Sequence, residues 1–291
     1  MELTDYNEIQ ALLRRHGFRF SKSMGQNFLI APWVPERIAD SARLDKDTAV
    51  LEIGPGVGCL TEQLSRRAGK VLAVELDRSL EGVLRETLGG CDNVEVLFGD
   101  ILRQDIPTLV HGHFGGMRAV VCANLPYNVT SPLLTALLKA GCFDTLTVMI
   151  QREVARRICA APNTSDYGAF TLFVQWHAET ELLFDVPPHC FHPQPKVTSS
   201  VIRLTVRKEK PIAVSDEALL FRVIRAAFNQ RRKTLPNALS AGLGLPRSEI
   251  EQVMESCALD PRIRGEALDL GAFVQITDAL AAKLQNNKAN L

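Results

Sequence analysis

The 291-residue sequence predicts an α/β fold, with helices on both faces of a parallel, doubly wound sheet, followed by a small all-helical domain. Three observations lead to this prediction. Short apolar runs of strand length alternate with helical patterns from residue 49 onward. The first run ends in a glycine-rich loop at 54–58. After about residue 207 only helical patterns remain, so we expect domains at residues 1–207 and 208–291.

The N-terminal region precedes the sheet. Residues 4–16 predict a short helix that Thr4 or Asp5 caps and Gly17 ends. A polar, basic stretch follows at 19–27, and a second helical pattern runs over 35–42, with Pro35 in its first turn.

The remaining elements follow from the period of the apolar residues. Strands are predicted at 49–53, 70–75, 94–98, 118–123 and 146–150, and helices at 60–68, 79–88 and 132–140. Later strands are predicted at 170–180 and 198–206, flanking a proline-rich loop at 187–195. The C-terminal domain is expected to contain helices at 216–229, 235–241, 248–257 and 270–284.

Composition excludes several classes of protein. A hydrophobic fraction of 46% with 23% charged residues is typical of a globular chain, not a disordered one. Lys plus Arg equals Asp plus Glu at 33 each, so total charge gives no argument for nucleic-acid binding. The 7 cysteines include no CxxC pair, and neither a signal peptide nor a membrane-spanning run is recognisable, which predicts a cytoplasmic protein with reduced thiols.

The glycine-rich loop predicts an adenosine-containing cofactor. Gly54, Gly56 and Gly58 allow a tight turn and let a ligand approach bare backbone. Glu75 ends the next strand, about 20 residues downstream, where an acidic residue can hold the ribose hydroxyls. The G-x-G-x-G spacing is tighter than the usual NAD pattern and favours S-adenosylmethionine (AdoMet), which has no pyrophosphate. A glycine turn without a ligand is the alternative.

Asp100 follows Gly99 at the end of the third predicted strand of the sheet. The carboxyl edge of a parallel sheet is where ligands bind in α/β proteins, and an acceptor there can take the cofactor's adenine amino group. Alone, an aspartate that ends a strand fits a turn or a cap equally well.

The segment Asn124-Leu125-Pro126-Tyr127 ends the fourth predicted strand and indicates the target chemistry. The nitrogen of an aromatic amine is a poor nucleophile because its lone pair is delocalised into the ring. The Asn124 side-chain oxygen and the Leu125 carbonyl could accept its two N–H groups and aim the lone pair at a methyl group. Pro126 would fix the turn, and Tyr127 offers a face for stacking an unstacked base. The alternative is an ordinary Asn-Pro loop before a helix.

Five segments of the chain together resemble the ribosomal RNA adenine N6-dimethyltransferase family, in particular its bacterial small-subunit enzymes. They lie at residues 22–29, 50–61, 124–128, 191–197 and 228–235. The resemblance extends over nearly the whole chain and implies a Rossmann-like AdoMet-dependent methyltransferase sheet in the first domain. It also implies that the helical C-terminal domain contacts RNA or the ribosome.

The resemblance also implies roles for individual residues. Cofactor contacts are expected from Asn27, Leu29, Gly54, Gly56, Glu75, Asp100 and Asn124. The target adenine is expected between Tyr127 and Phe191, although from the sequence alone Phe191 fits an ordinary core position.

The implied reaction moves methyl groups from AdoMet to N6 of two adjacent adenosines in the 3′-terminal hairpin of 16S rRNA. We expect direct displacement without a covalent enzyme intermediate, acting on a pre-30S particle late in small-subunit biogenesis. We expect a monomer without a membrane partner. We also expect no metal, since the spacing of His189, Cys190 and His192 matches no zinc pattern.

Other interpretations stay open. The chain could methylate large-subunit rRNA or DNA adenine, or it could act chiefly as a ribosome-assembly factor. Basic clusters could contact phosphates or could simply be solvated faces. They lie at Arg14-Arg15-Arg19-Lys22, Arg152-Arg156-Arg157, Arg203-Arg207-Lys208-Lys210 and Arg231-Arg232-Lys233.

Overall fold

The computed structural model describes residues 1–19 and 26–289, with side chains as far as Gln285. The helices are α1 (Tyr6–Arg15), α2 (Trp33–Ser41), α3 (Cys59–Arg67), α4 (Glu81–Leu88), α5 (Ile106–Phe114), α6 (Thr130–Ala140), α7 (Arg152–Ile158), α8 (Ala169–His177), α9 (Glu217–Asn229), α10 (Leu235–Leu243), α11 (Arg247–Ser256) and α12 (Leu270–Ala289). The strands are β1 (Phe28–Leu29), β2 (Thr48–Ile53), β3 (Lys70–Glu75), β4 (Val94–Phe98), β5 (Arg118–Asn124), β6 (Thr145–Gln151), β7 (Ala178–Val186), β8 (Phe191–His192) and β9 (Ser199–Val206).

A seven-stranded sheet forms the centre of the fold, in the order β4-β3-β2-β5-β6-β9-β7. The five strands from β4 to β6 are parallel, whereas β9 pairs antiparallel with both β6 and β7. Every residue of β2 is buried, as expected for a central strand covered on both faces. The predicted α/β class is confirmed, and the sheet is mixed instead of wholly parallel.

Most predicted elements form close to their expected bounds. The Asp5 side chain caps α1 by accepting from the Glu8 amide, and Asp216 caps α9 by accepting from the Leu219 amide. The helices α5 and α7 and the two-residue strands β1 and β8 were not predicted.

The strand predicted over 170–180 is wrong. Residues Ala169–His177 form helix α8, and the strand β7 begins only at Ala178. The segment is rich in aromatic and β-branched residues, which favours a strand. In the structure Leu172 and Trp176 lie four residues apart on one helix face and are buried in the same core as α9, so packing overrides local preference.

The chain divides into two compact units. Unit 1 comprises Met1–Ala155 and Ala178–Val206, and unit 2 comprises Arg156–His177 and Arg207–Leu291. The segment 156–177, which the sequence analysis places in the first domain, therefore groups with the C-terminal helices. The physical reason is the shared core that contains Tyr167, Leu172 and Trp176 together with apolar side chains of α9.

Over the described ranges, no helix has the length and hydropathy needed to cross a membrane. The seven cysteines, all of them among the described residues, form no disulfide bond.

Candidate active site

One cavity in unit 1 opens at the carboxyl edge of the parallel strands. It lies where β2 and β5 are neighbours, although β3 and β4 lie between them in sequence. At such a switch point the connections leave in opposite directions and open a crevice for a ligand. Ten residues from the sequence analysis line this cavity: Asn27, Leu29, Gly54, Gly56, Glu75, Asp100, Asn124, Leu125, Pro126 and Tyr127.

The glycine-rich loop connects β2 to α3 through three left-handed backbone positions. The φ angles are 71° at Gly54, 62° at Gly56 and 92° at Gly58, a region that residues with a Cβ rarely adopt. A Cβ on Gly56 would lie 3.1 Å from the Phe28 ring, so a side chain there would also crowd the cavity wall. The loop thus exposes its backbone to the cavity, as the spacing predicts.

Glu75 ends β3 and is nearly fully buried beside the loop. Its Oε1 accepts from the Asp77 amide at 2.8 Å, and its Oε2 accepts from the Gly56 amide at 3.3 Å. Burial raises the pKa of this carboxyl, and the two amide hydrogen bonds oppose that rise. The carboxyl is fixed in position, and each oxygen keeps a lone pair that a hydroxyl could use.

Gln26 belongs to the same arrangement and was missed as an individual residue. Its Nε2 donates to Asp77 Oδ2 at 2.7 Å, two residues beyond Glu75. The segment that begins at residue 26 is thereby tied to the turn after β3. In the sequence the only signal was a polar residue beside Asn27.

Asp100 follows the end of β4 and already has partners within the chain. Its Oδ1 accepts from the Leu102 amide at 3.0 Å, which caps a short turn, and Arg103 Nε lies 3.4 Å from Oδ2. The capping role considered in the sequence analysis is therefore present. Asp100 nevertheless lines the cavity, so one carboxyl can serve both the turn and a ligand.

The segment Asn124–Tyr127 is anchored on several sides. Asn124 is the last residue of β5, and the Leu125 amide donates to the Met149 carbonyl at 3.0 Å. Thr130 Oγ1 donates to the Pro126 carbonyl at 3.0 Å. The Tyr127 hydroxyl lies 2.6 Å from Ser199 Oγ, and burial raises the pKa of this phenol. A rigid turn of this kind can present an amide and a carbonyl oxygen side by side.

Phe191 is placed differently from the other candidates. It is 2% exposed, belongs to a core cluster, and is not among the described residues that line the cavity. Its strand β8 pairs antiparallel with β1, and Leu29 lies opposite Phe191. The structure therefore brings Phe191 next to the cavity wall, while stacking against a base stays a prediction.

Glu52, which was not predicted to be a site residue, also lines the cavity. It is 1% exposed, and its Oε2 has no hydrogen-bond partner among the described residues. Burial, reinforced by the charge of Glu75, raises its pKa to about 8. A signal in the sequence could have identified Glu52. It is the only charged residue in a six-residue strand of apolar and threonine residues, and it lies just before the glycine-rich loop.

The basic clusters differ from one another. Arg15 is paired with Glu86, and Arg231 donates to the Ser165 carbonyl. Arg203 is buried and donates to the Ser41 carbonyl at 3.0 Å, so it is structural. Lys22 of the first cluster, like residues 22–25 of the segment 22–29, lies outside the described residues. No group of three metal-ligating side chains occurs among the residues that the structure describes.

The sequence was compared with protein families and characterised relatives. The model of the family described as "Ribosomal RNA adenine dimethylase" matches residues 17–280. The "Ribosomal RNA small subunit methyltransferase A" of Lachnoclostridium phytofermentans is 44% identical over 287 residues, which cover 97% of this chain and 99% of the relative. The protein of the same name from Geobacillus thermodenitrificans is 46% identical over 274 residues, 92% of this chain and 94% of the relative.

Solved structures agree with the fold. A dimethyladenosine transferase from Plasmodium falciparum superposes with a TM-score of 0.74 at 25% identity, covering 90% of this chain and 98% of that one. The 23S rRNA methyltransferase ErmE superposes with a TM-score of 0.68 at 28% identity, covering 88% of this chain and 100% of that one.

Proposed function

Because the chain belongs to the ribosomal RNA adenine dimethylase family, we propose that it transfers methyl groups from AdoMet to N6 of two adjacent adenosines near the 3′ end of small-subunit rRNA. The observation that supports this most directly is the shared cavity. The Asn124–Tyr127 turn and the glycine loop with Glu75 line the same crevice, so that an amine acceptor and an adenosine cofactor could meet there.

The cofactor site is assigned to residues around the glycine loop. The fit to AdoMet rests on the bare backbone at Gly54 and Gly56, the fixed Glu75 carboxyl for the ribose hydroxyls, and Asp100 for the adenine amine. Asn27, Leu29 and Asn124 complete the proposed contacts. AdoMet, when bound, supplies an electrophilic methyl group on a sulfonium, a chemistry that requires no metal from the protein.

The target amine is assigned to Asn124 and the Leu125 carbonyl. Both would accept an N–H group from N6, which disfavours delocalisation of the nitrogen lone pair and directs it toward the methyl donor. As the bond from N6 to the methyl carbon forms, the methyl–sulfur bond of AdoMet would break, S-adenosylhomocysteine would be the leaving group, and N6 would lose one proton to water. A single N–H then remains, so the same residues could orient the amine again. Tyr127 would stack on the base, and Phe191 would bound its other face.

Replacement of Asn124 tests this assignment. Asn124→Ala should lower methyl transfer to small-subunit particles by about 100-fold or more, on the scale of losing a preorganised hydrogen-bonding group. The measurement is tritium transfer from labelled AdoMet, with AdoMet affinity determined separately by calorimetry. Asn7→Ala, at an exposed position of α1 away from the cavity, is the control for the same change of residue type. Wild-type turnover in Asn124→Ala would contradict the role.

The choice of small-subunit rRNA rests on the relatives. Proteins 44–46% identical to this chain bear small-subunit names, whereas the 23S enzyme is 28% identical. Purified protein offered small-subunit particles, large-subunit RNA and DNA together should label the small subunit. Mass mapping of rRNA from cells with and without the protein should show loss of two dimethyladenosines; an unchanged small-subunit map would refute the proposal.

The cellular setting is part of the same proposal. We place the protein in the cytoplasm as a monomer that acts on pre-30S particles during late small-subunit biogenesis. Sedimentation of cell extracts checks this placement, since the protein should migrate with immature small subunits and not with translating ribosomes.

A further inference from the structure

Tyr127 is held at both ends. On the backbone side, the Leu125 amide and Thr130 Oγ1 fix the turn that carries it. At the far end of the ring, the phenolic oxygen lies 2.6 Å from Ser199 Oγ, and Ser199 is fully buried. Rotation about χ1 would carry the phenolic oxygen away from Ser199, so with the backbone turn fixed the hydrogen bond restricts this torsion.

The reversed direction of β9 brings Ser199 to this position. Because β9 runs antiparallel to β6, its first residue lies opposite Gln151, the last residue of β6. The neighbouring strand β5 ends at the same edge, where Asn124 lies opposite Met149. A parallel strand in the place of β9 would have its first residue at the opposite edge of the sheet.

Neither hydroxyl of this hydrogen bond is charged at neutral pH. Burial raises the pKa of the Tyr127 phenol, so the ring carries a neutral hydroxyl at neutral pH. The hydroxyl of Ser199 does not titrate, and either oxygen can act as donor. The pair therefore holds the ring without a charge that a nearby sulfonium cofactor would disturb.

We infer that Ser199 is a positioning residue of the methyltransferase, which holds the Tyr127 ring in the orientation that stacks the target adenine. The inference rests on the proposed function. The physical basis is preorganisation. A ring that its hydroxyl already holds in place loses less rotational freedom when the base stacks on it, which helps to present the amine to Asn124 in one orientation.

The neighbouring residue provides a matched control. Ser200 is on the same strand and equally buried, but its hydroxyl donates to Asp185 Oδ1 at 2.5 Å on the opposite face of the sheet. Ser199→Ala and Ser200→Ala each remove one buried hydroxyl, and only Ser199→Ala releases Tyr127.

The first test measures the ring directly. The chain has 3 tyrosines, so ring-labelled tyrosine gives few enough NMR signals to follow each one. Contacts between the Tyr127 ring and its neighbours, measured as nuclear Overhauser effects, should show more than one χ1 rotamer in Ser199→Ala, whereas Ser200→Ala should keep the single rotamer of the wild type. A single, wild-type χ1 rotamer of Tyr127 in Ser199→Ala would overturn the inference and would leave the proposed function unaffected.

The second test is a kinetic cycle with Ser199→Ala, Tyr127→Phe and the double variant. Each single change should lower the single-turnover rate on small-subunit particles by about tenfold, the scale of one net hydrogen bond. The double variant should be no slower than either, because the same bond is missing in all three, and AdoMet affinity should stay within about twofold of wild type. Additive decreases of about 100-fold, or equal rates for Ser199→Ala and Ser200→Ala, would overturn the inference. A wild-type protein without rRNA methylation would instead refute the proposed function, and this role with it.

Discussion

Glu52 is an unusual residue because it buries a carboxyl with an unpartnered oxygen, among the described residues, in the wall of the cavity. Its pKa is about 8 in the folded protein, against an ordinary value of 4.5. Between those pH values the folded protein binds one more proton than the unfolded chain. The free energy of unfolding therefore falls as pH rises through this window, by at most about 1.4 kcal/mol per pH unit.

Glu52→Gln removes this titration. We expect the free energy of unfolding to fall less steeply between pH 5 and pH 8 in the variant than in the wild type, whatever the packing cost of the amide. Urea titrations at pH 5, 6.5 and 8 measure both slopes. Glu255→Gln, on the exposed side of α11, is the control and should keep the wild-type slope. Parallel curves for Glu52→Gln and the wild type would contradict the assignment.

The residues that could be predicted from the sequence are those with a local signature. Several of them lie at or shortly after the end of a strand, namely the glycines, Glu75, Asp100 and Asn124. Because the carboxyl ends of parallel strands lie at the same edge of a sheet, these residues are expected to lie together. Ser199 and Gln26 have no such signature, because their roles depend on partners 72 and 51 residues away. Phe191 is the opposite case: the resemblance predicts that it contacts the target base, and the structure places it in a buried core position.

At the level of elements, α9 and α10 approach each other closely at one glycine. A Cβ built on Gly242 in α10 would lie 2.4 Å from the Cβ of Ala226 in α9. No rotamer change relieves that overlap, since neither side chain has a torsion to adjust. The backbones of the two helices would have to separate.

Gly242→Ala should therefore destabilise the protein by about 1–3 kcal/mol, even though alanine favours helices. Gly112→Ala in α5 is the opposite case, because its Cβ would meet nothing within 4 Å. That variant should gain about 1 kcal/mol from helix preference alone. Thermal unfolding of both variants checks the pair, and a rise in Tm for Gly242→Ala would show that the helices are not packed as described.

The helices and strands also differ in how well they could be predicted from the sequence. Strands of the parallel sheet were located to within a residue or two, because buried runs bounded by glycine or polar residues are distinctive. The segment 169–177 was predicted wrongly because its aromatic and β-branched residues favour a strand locally, whereas packing with α9 makes it a helix. The division of the chain at 156–177 was missed for the same reason.

At the scale of the whole molecule, a net charge of zero conceals an uneven distribution. Unit 2 contains 15 Lys and Arg against 11 Asp and Glu, a net charge of +4, and unit 1 contains 18 against 22, a net charge of −4. Exposed cations of unit 2 include Arg222 and Arg225 on α9 and Arg232 in the turn before α10. Attraction to phosphate is thus expected from the second unit, although the total charge gave no argument for it.

Removing two of these cations tests that expectation. In Arg225→Gln/Arg232→Gln the slope of log affinity for rRNA against log salt should become shallower by about 0.7–0.9 for each phosphate that the protein no longer neutralises. Filter binding across a range of salt concentrations measures the slope. Arg66→Gln/Arg85→Gln in unit 1 removes the same charge from exposed helix positions and should leave the slope unchanged. Equal effects of the two pairs would mean that attraction depends only on total charge.

The short ladder between β1 and β8 connects a proposed cofactor contact to a proposed neighbour of the target base. Leu29, a proposed cofactor contact, lies opposite Phe191, a proposed neighbour of the target base, and the Ile30 amide donates to the Cys190 carbonyl at 2.8 Å. If these assignments hold and a ligand orders one strand, we expect the paired strand to become ordered with it, which predicts cooperative binding of the two ligands. Reciprocity then requires that AdoMet tighten rRNA binding by the same factor by which rRNA tightens AdoMet binding. Dissociation of the demethylated cofactor from β1 would then weaken RNA binding, so release of one product would promote release of the other.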